Sequence, residues 1–526
     1  MTAKSQSAPS VMHPSGMIGT ARLPSKANSA KGGRAGWSPR RGDLASWDAS
    51  RLLFFFLCAL VNAAFAGHAA ESAVNYFRSD SGLAAPSFGA LPSRFDTPET
   101  LRWRVPLPPG HATPIVTDGK VFLTAYEAES NALAVLALDA DSGRMLWRHS
   151  VVVSQVEQTH PLGSPATATP ACDGHRLYVF FGSYGLLAFD LDGKKLWEYK
   201  AGPFRDEYGA GSSPILCGGR VILNQDHDVD SFLLALDAAT GQPIWKTPRP
   251  DAVRSYATPA VWAHDGREEL LVAGALQLAS YDPANGAKLW WLNGLARVVI
   301  PTPVPLGDMV YMASWSPGGD PGNRISLDPW PAALAKWDAN HDGKLSREEI
   351  KDHEVLDRFI RMDLNQDGVL DEAEWEHYAQ FFRDAQNSLL AIQPTGKGEL
   401  AKGAVRWKHA RGVPYVASPV IDRGILYMVK EGGIVTKLEL ATGQLLQEQR
   451  VGGMGNYFAS PVAGDGKVYF ASEPGTVSVL ASEPDWKLLS SHDFHEKIYA
   501  TPAFGPGRVY LRTEQALYCF QAALRQ

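Results

Sequence analysis

The sequence predicts an all-β fold, an eight-bladed β-propeller of four-stranded antiparallel blades with a small α-helical insertion in blade five. Three observations carry that expectation. A unit of forty-odd residues recurs along the chain, a tryptophan holds a fixed place in most copies, and the two ends of the repeat array are complementary.

The unit is clearest between Asp173 and Trp197. A turn at Asp173-Gly174 leads into the apolar run Leu177–Phe181. A turn at Gly185, a second run ending in Asp190, a turn at Asp192-Gly193 and then Trp197 complete it. The unit returns at Phe232–Trp245 and at Leu278–Trp290, and in each copy the Trp lies four residues after the Gly. Thr-Pro or Ser-Pro introduces each unit. These anchors fall at Pro114, Pro170, Pro214, Pro259, Pro303, Pro419, Pro461 and Pro502, with spacings of 56, 44, 45, 44, 116, 42 and 41. A fixed period of this size signals a repeat architecture. Four short apolar runs per period, separated by turn residues, read as four antiparallel strands. A linear β-solenoid is the alternative, but solenoid repeats are usually shorter and the ends favour a closed ring.

The last unit stops after Ala516–Phe520, without an outer strand or a Trp, while an orphan run, Leu101–Val105, precedes the first anchor. That run is expected to complete blade eight, close the ring and shield a sheet edge. Trp103, Trp147, Trp197, Trp245, Trp290 and Trp407 are read as core residues docking one blade on the next. Gln447 and Leu489 stand at the equivalent positions of blades six and seven, as weaker copies.

Residues 1–66 read as a leader and secretory signal peptide. Arg51 opens the apolar run Leu52–Val61, and Ala64-Phe65-Ala66 places cleavage near Ala66. The run is too short to cross a membrane comfortably, so no transmembrane span is expected in the mature chain. Met12 or Met17 is an alternative start, and Arg40-Arg41 only loosely resembles a twin-arginine signal. Cys58 lacks the preceding small residues of a lipid anchor. Residues 67–98 read as a linker, 99–314 and 388–526 as the two parts of the propeller, and 315–387 as the insertion. A net charge of −6 without a basic cluster excludes nucleic acid as a partner. Three scattered cysteines remain in the mature chain, Cys172, Cys217 and Cys519, and give no disulfide framework. A periplasmic or secreted monomer is expected.

The insertion carries the chemistry. One twelve-residue loop runs Asp338, Asn340, Asp342, Gly343, Lys344, Ser346, Glu349; a second runs Asp363, Asn365, Asp367, Gly368, Val369, Asp371, Glu374. Calcium takes six to eight oxygens. Positions one, three and five supply side-chain oxygens, position seven a backbone carbonyl, position nine often a water, position twelve a bidentate carboxylate, and a Gly at six permits the sharp turn. Lys344 and Val369 would therefore offer carbonyls, and Leu345 and Leu370 suit a short β contact between paired loops. The spacing resembles the EF-hand family, which implies two Ca2+ sites. Acidic surface loops are the alternative, and magnesium is not expected in so flexible an oxygen cage. Helices are expected at Ala332–Trp337, Ser346–His353, Val355–Met362 and Glu372–Phe382.

In a propeller the loops between second and third strands share a face with the blade-to-blade connectors, so the insertion is expected on that face. Connectors there carry Tyr208, Tyr256, Tyr415, Tyr457 and Tyr499, with Arg205, Arg254, Arg411 and Asn456 close by. Blade three adds Asp226, His227, Asp228 and Asp230 in one loop. The aromatics either plug the channel mouth or line a ligand site.

The run Leu-Ala-Leu-Asp-x-x-Thr-Gly-x-x-x-Trp, best seen at 233–245 and 185–197, resembles the tryptophan-docking repeat of pyrroloquinoline-quinone-type propellers. The resemblance implies either of two functions. Quinoprotein alcohol dehydrogenases hold the quinone and a calcium ion in the channel; the propeller lipoprotein of the outer-membrane barrel assembly machinery is a non-enzymatic scaffold. The adjacent cysteines typical of the former are missing here, and so is the lipid-anchor signature of the latter. The expected function is therefore an exported calcium-binding propeller that binds a protein partner or small ligand on its EF-hand face. The alternative is a quinoprotein alcohol or sugar oxidoreductase, which needs a channel cluster of Arg, Asn and acidic residues. Pyrroloquinoline quinone is not expected as a resident cofactor. Hydrolysis of a polymer across the acidic face is a third reading, with no carboxylate pair to carry it.

Overall fold

Within each repeat the second and third strands are apolar without alternation, and the fourth alternates. Ala132–Asp139 is buried up to its last residue, whereas Met145–Val152 swings between exposed and half-buried. A strand covered on both faces takes a continuous apolar run; one with a solvated face alternates. The computed structural model, which describes residues 75–85, 88–206, 208–250, 252–317, 319 and 326–523, arranges these strands in eight four-stranded antiparallel sheets. The expected leader and its cleavage point at Ala66 lie outside the described residues. Apolar clusters form between successive sheets; one joins Tyr178, Phe180 and Leu186 of blade two to Leu223 and Leu234 of blade three.

The chain ends meet as expected. Leu101–Pro106 pairs antiparallel with Ala516–Gln521, setting Trp103 opposite Cys519 and Arg104 opposite Tyr518. Blade eight thus draws its outer strand from the start of the array.

Tryptophan docking follows one geometry at five junctions. The Trp103 indole N–H donates to the Ala140 carbonyl, Trp147 to Leu191, Trp197 to Ala238, Trp245 to Pro283 and Trp407 to Leu440, at 3.0 to 3.2 Å. Each ring covers the turn glycine of the next blade. At Gly241, with φ of +72°, an added Cβ would lie 2.6 Å from the Trp197 ring. In blades one to four the Gly that precedes the Trp by four residues, Gly143, Gly193, Gly241 or Gly286, therefore receives the Trp of the blade before.

Three junctions depart from this pattern. Trp290 turns inward and donates to Glu269 Oε2 of its own blade at 2.8 Å, while Trp262 donates to the Gly307 carbonyl instead. The cause is the long excursion after Ile392 in blade five, where Gly398–Glu399 pairs in parallel with Trp290 and Trp291 as a fifth strand on blade four. Between blades six and seven a fully buried Lys437 donates to the Glu483 and Asp485 carbonyls at 3.0 and 2.8 Å. Between blades seven and eight Leu91 and Phe95 fill the space, Phe95 packing edge-on against Phe520. Gln447 and Leu489 are weak copies because other residues have taken over their task.

The Thr-Pro and Ser-Pro anchors also have a reason. The Thr113 N–H donates to Thr169 Oγ1, Thr169 to Ser213, Ser213 to Thr258, Thr302 to Ser418, Ser418 to Ser460 and Ser460 to Thr501, at 2.9 to 3.1 Å. A girdle of backbone-to-hydroxyl bonds thus links the innermost strands. Thr302 Oγ1, buried and without a partner, marks a break between blades four and five.

Of the expected linker, described residues from Asn75 onward make contacts with the blades. Asn75 bridges to Cys172 of blade two and Leu83 to Ile421 of blade six, and the Ala85 N–H donates to the Ala463 carbonyl of blade seven. The segment crosses the end of the channel where the first strands finish. Apolar Tyr76, Phe77 and Leu83 give it something to bury.

The insertion separates the second strand of blade five, Met309–Ser314, from the third, Ser388–Ile392. Its helices are α1 (Trp330–Trp337), α2 (His353–Leu356), α3 (Phe359–Met362) and α4 (Glu372–Asp384). The helix expected over Ser346–His353 does not form. The Asp352 carboxylate accepts the Glu354 N–H and starts a new helix at His353, an N-cap that competes with continuation. The helix expected over Val355–Met362 is split, with Asp357 and Arg358 between α2 and α3. The insert's core gathers Trp330, Trp337, Leu345, Phe359, Leu370 and Trp375, and continues into the propeller through Val253 and Ala275.

Candidate functional site

The two acidic loops have the same internal geometry. His341 and Gln366 at position four both have φ of 60°, and Gly343 and Gly368 at position six have φ of 78° and 86°. Glycine is the residue that adopts such a backbone without strain. The turns direct the Gly343 N–H to Asp338 Oδ2 at 3.1 Å and the Gly368 N–H to Asp363 Oδ2 at 3.0 Å. Leu345 pairs with Leu370 and Ser346 with Val369, the expected β contact between loops. Lys344 Nζ lies 3.3 Å from Asp367 Oδ2, so the first loop also places a cation against the second.

The position-twelve glutamates reach back over their loops. Glu349 Oε1 accepts the Ala339 and Asn340 N–H groups at 3.1 and 3.3 Å, and its Oε2 accepts the Ser346 N–H at 2.9 Å. Glu374 repeats this with Leu364, Asn365 and Asp371 at 2.8, 3.1 and 3.2 Å. The Ser346 N–H leads in holding the Glu349 carboxyl below its usual range, whereas burial pushes Glu374 up. With the glutamates engaged in this way, the described residues contain no gathered group of three His, Cys, Asp or Glu side chains in metal-holding geometry. One oxygen in each loop stays unsatisfied: Asp338 Oδ1 and Asp363 Oδ1 are buried without a hydrogen-bond partner. Both stand at position one. A buried carboxylate oxygen without a partner is costly, and a bound cation would relieve that cost at both positions. The donor set and these two orphans fit calcium.

The second feature is a cavity of about 560 Å³ in the channel, on the same face as the insertion. Its wall is built from the blade-to-blade connectors and the hydroxyl girdle, and Phe77 of the crossing segment also lines it. Four of the five expected tyrosines line it, Tyr208, Tyr256, Tyr415 and Tyr499. Tyr457 does not; its hydroxyl donates to the Gly453 carbonyl and Phe458 faces the cavity instead. Arg254 lines the wall, held bidentately by Asp228 at 2.7 and 2.8 Å. Arg205, Arg411 and Asn456 do not line it; Asn456 donates to Glu473. His111, stacked on Tyr499 at 4.0 Å, is pushed down to about 4 by burial and by Arg512, so it is neutral at pH 7. In blade three's loop, Asp226 is committed to a buried pair with Arg249.

Sequence reasoning missed Arg297, Arg361 and Tyr378, which also line the cavity. Arg361 is on α3 and Tyr378 on α4, on either side of the second acidic loop. Arg297 lies over the Phe382 ring of α4 at 5.8 Å. Arg361 and Tyr378 belong to the insertion, so periodicity gave no signal for them, and Arg297 sits in the connector between blades four and five.

Comparison with known proteins agrees with this architecture. Residues 94–208, 206–297 and 381–523 match the family described as outer membrane protein assembly factor BamB, which covers most of the chain outside the insertion. The chain belongs to the BamB family. Residues 332–352 and 356–377 separately match the EF-hand family. The BamB of Moraxella catarrhalis superposes with a TM-score of 0.51 at 13% identity, over 80% of this chain and 99% of that one. The computationally designed Ika8 protein gives 0.50 at 12% identity, over 80% and 99%. These likenesses establish the fold alone. A quinohemoprotein alcohol dehydrogenase of Pseudomonas putida, ADH IIB, is 28% identical over 139 residues, 26% of this chain and 19% of the relative. The chain thus matches about a fifth of that enzyme's length. The matched BamB segments leave out α1, α2 and α3. No helix among the described residues is long and apolar enough to cross a membrane.

Proposed function

We propose that this BamB-family chain is an exported calcium-binding propeller that acts as a binding or scaffold protein, holding a partner or ligand on its EF-hand face. The observation that carries this reading is the pair of orphaned oxygens, Asp338 Oδ1 and Asp363 Oδ1, at equivalent positions of two loops beside the channel cavity. In the first site calcium would take side-chain oxygens from Asp338, Asn340 and Asp342, the Lys344 carbonyl, Ser346 directly or through water, and both oxygens of Glu349. In the second it would take Asp363, Asn365, Asp367, the Val369 carbonyl, Asp371 and Glu374. Each glutamate would exchange its loop N–H partners for the ion. Extracellular modules of this kind bind in the range of about 10⁻⁴–10⁻³ M, which would keep these sites filled after export. Calorimetric titration of calcium into chelator-treated mature protein tests the reading. Two bound ions per chain are expected; no calcium-specific heat at millimolar concentration would overturn it.

The quinoprotein reading has one observation in its favour, the partial match to the alcohol dehydrogenase. The cavity wall supplies arginines but no Asn, Asp or Glu side chain among its described lining. Titration of pyrroloquinoline quinone into the calcium-loaded protein decides the matter. Micromolar binding would favour an oxidoreductase, and no heat would leave a scaffold or receptor.

A further inference from the structure

The hydroxyl girdle divides the ring into two halves. Three of its bonds run from Thr113 to Thr258 through blades one to four, and three from Thr302 to Thr501 through blades five to eight. Among the described residues no girdle bond joins Thr258 to Thr302 or Thr501 to Thr113. At the second gap other bonds take over: Trp103 docks on blade one, and the buried Arg512 of blade eight donates to the Thr124 carbonyl of blade one at 2.6 Å. The first gap is held at its edges. Trp290 turns into its own blade, Gly398–Glu399 covers the outer rim, and Trp262 reaches Gly307 at the far end of the strand that leads into the insertion.

The insertion lies across this seam at the connector face. It leaves the chain from blade five, yet its apolar core takes in Val253 and Ala275 of blade four, with Leu276 packed against it. Leu276 has φ of +62°, a left-handed backbone unfavourable for leucine, held here against the insertion. Beyond α4 the Gln386 N–H donates to the Leu295 carbonyl, in the connector between the two blades, at 3.1 Å. The Ala296 N–H of that connector donates to Ser314 Oγ, at the insertion's other root, also at 3.1 Å. Phe382 of α4 lies under Arg297 of the same connector.

We propose that the insertion is a calcium-operated clamp on the seam between blades four and five. With calcium bound it locks the two halves of the ring together at the EF-hand face; without calcium the seam opens there while the other junctions stay closed. The proposal rests on the calcium-binding reading above and adds what that calcium regulates. Asp338 directly follows α1, and the second acidic loop joins α3 to α4. The core that grips blade four is therefore held or released with the ions. At the opposite end of the channel the crossing segment ties Cys172 of blade two to Ile421 of blade six, which confines the opening to one face. Sites in the range of about 10⁻⁴–10⁻³ M are empty where calcium is scarce and filled outside the cell. The ring would be compliant before export and locked after it.

The test measures thiol labelling of the full mature chain by N-ethylmaleimide, read peptide by peptide in a mass spectrometer. Val310, fully buried on the blade-five side of the seam, carries the reporter as Val310→Cys. The native cysteines are internal controls, all buried: Cys172 lies between blades one and two, Cys217 between three and four, and Cys519 between eight and one. Labelling is followed in calcium and in chelator, with calcium binding measured on the same samples. The new thiol should react at least about tenfold faster in chelator, and the native thiols should change by less than about twofold. Leu276→Asn removes the apolar contact with the insertion and supplies a residue that tolerates the left-handed backbone. Added to the reporter chain, it should give the fast rate in calcium as well, with calcium still bound. Should Val310→Cys lose its thermal transition, Met312→Cys reports from the same cluster. Equal acceleration at every thiol, or a slow reporter in the Leu276→Asn chain, overturns the clamp. Measured calcium binding with an unchanged reporter rate also overturns it and spares the calcium reading. Absence of calcium binding overturns that reading itself.

Discussion

Replacing Asp206 with asparagine should flatten the pH dependence of stability. Asp206 accepts the Tyr208 N–H at 2.8 Å and the Tyr256 hydroxyl at 3.0 Å. Burial, and the nearby Asp228 charge, push its carboxyl up to about 7. An unfolded aspartate titrates near 3.9. Between those values the folded chain holds a proton that the unfolded chain has lost, so stability falls as pH rises from about 4 to about 7. A rise of that size corresponds to about 4 kcal/mol. The side chain is only partly covered, and about 2 kcal/mol is the discounted expectation. Asparagine keeps the acceptor oxygen for both donors and removes the charge. In urea unfolding of the calcium-loaded protein, Asp206→Asn should match wild type within about 0.5 kcal/mol at pH 4 and exceed it by about 2 kcal/mol at pH 8. A difference of the same size at both pH values would refute the reasoning, because a lost or gained contact carries no such pH dependence.

Three further outcomes are expected. Gly241→Ala, with its Cβ 2.6 Å from the Trp197 ring, should cost about 2–3 kcal/mol in urea unfolding, against about 1 kcal/mol for Gly119→Ala, where φ is also positive but nothing lies within 4 Å; equal costs would mean the indole is not held on the glycine. Lys437→Met removes the donor to two blade-seven carbonyls and should destabilise by about 2–4 kcal/mol, measured the same way; a neutral result would show that the ammonium is dispensable at that junction. Chelation should release the insertion and leave the ring folded, so proteolysis should cut between residues 326 and 387 while far-UV circular dichroism keeps its strand signal. One cooperative unfolding on chelation would contradict this.

What the sequence disclosed was what repeats. The anchors, the Trp-to-Gly spacing and the loop ligands all recur, and periodic patterns can be read from one chain. The exceptions depend on single non-periodic events. Trp290 lost its docking partner because of an excursion a hundred residues later, and Lys437 and Phe95 serve junctions that no pattern marks. The failed helix at Ser346–His353 was a contest between propensity and the Asp352 cap, and the local hydrogen bond prevailed. The cavity's tyrosines were legible because each falls a few residues before a Pro anchor. Arg297 and Arg361 were not, because they come to line one cavity only through the docking of the insertion on the propeller.

The shared eighth blade has a consequence for how the molecule is made. Leu101–Pro106 leaves the ribosome about four hundred residues before Ala516–Gln521, its one ladder partner among the described residues. Through that interval the early strand is an unmated β segment, of the kind that recruits other chains. Its own alternation answers the hazard: Arg102 and Arg104 sit between Leu101, Trp103 and Val105, so one face carries like charges that repel a second copy. The latch of the ring is thus also its first guarded edge, and both arginines stay exposed once it has closed.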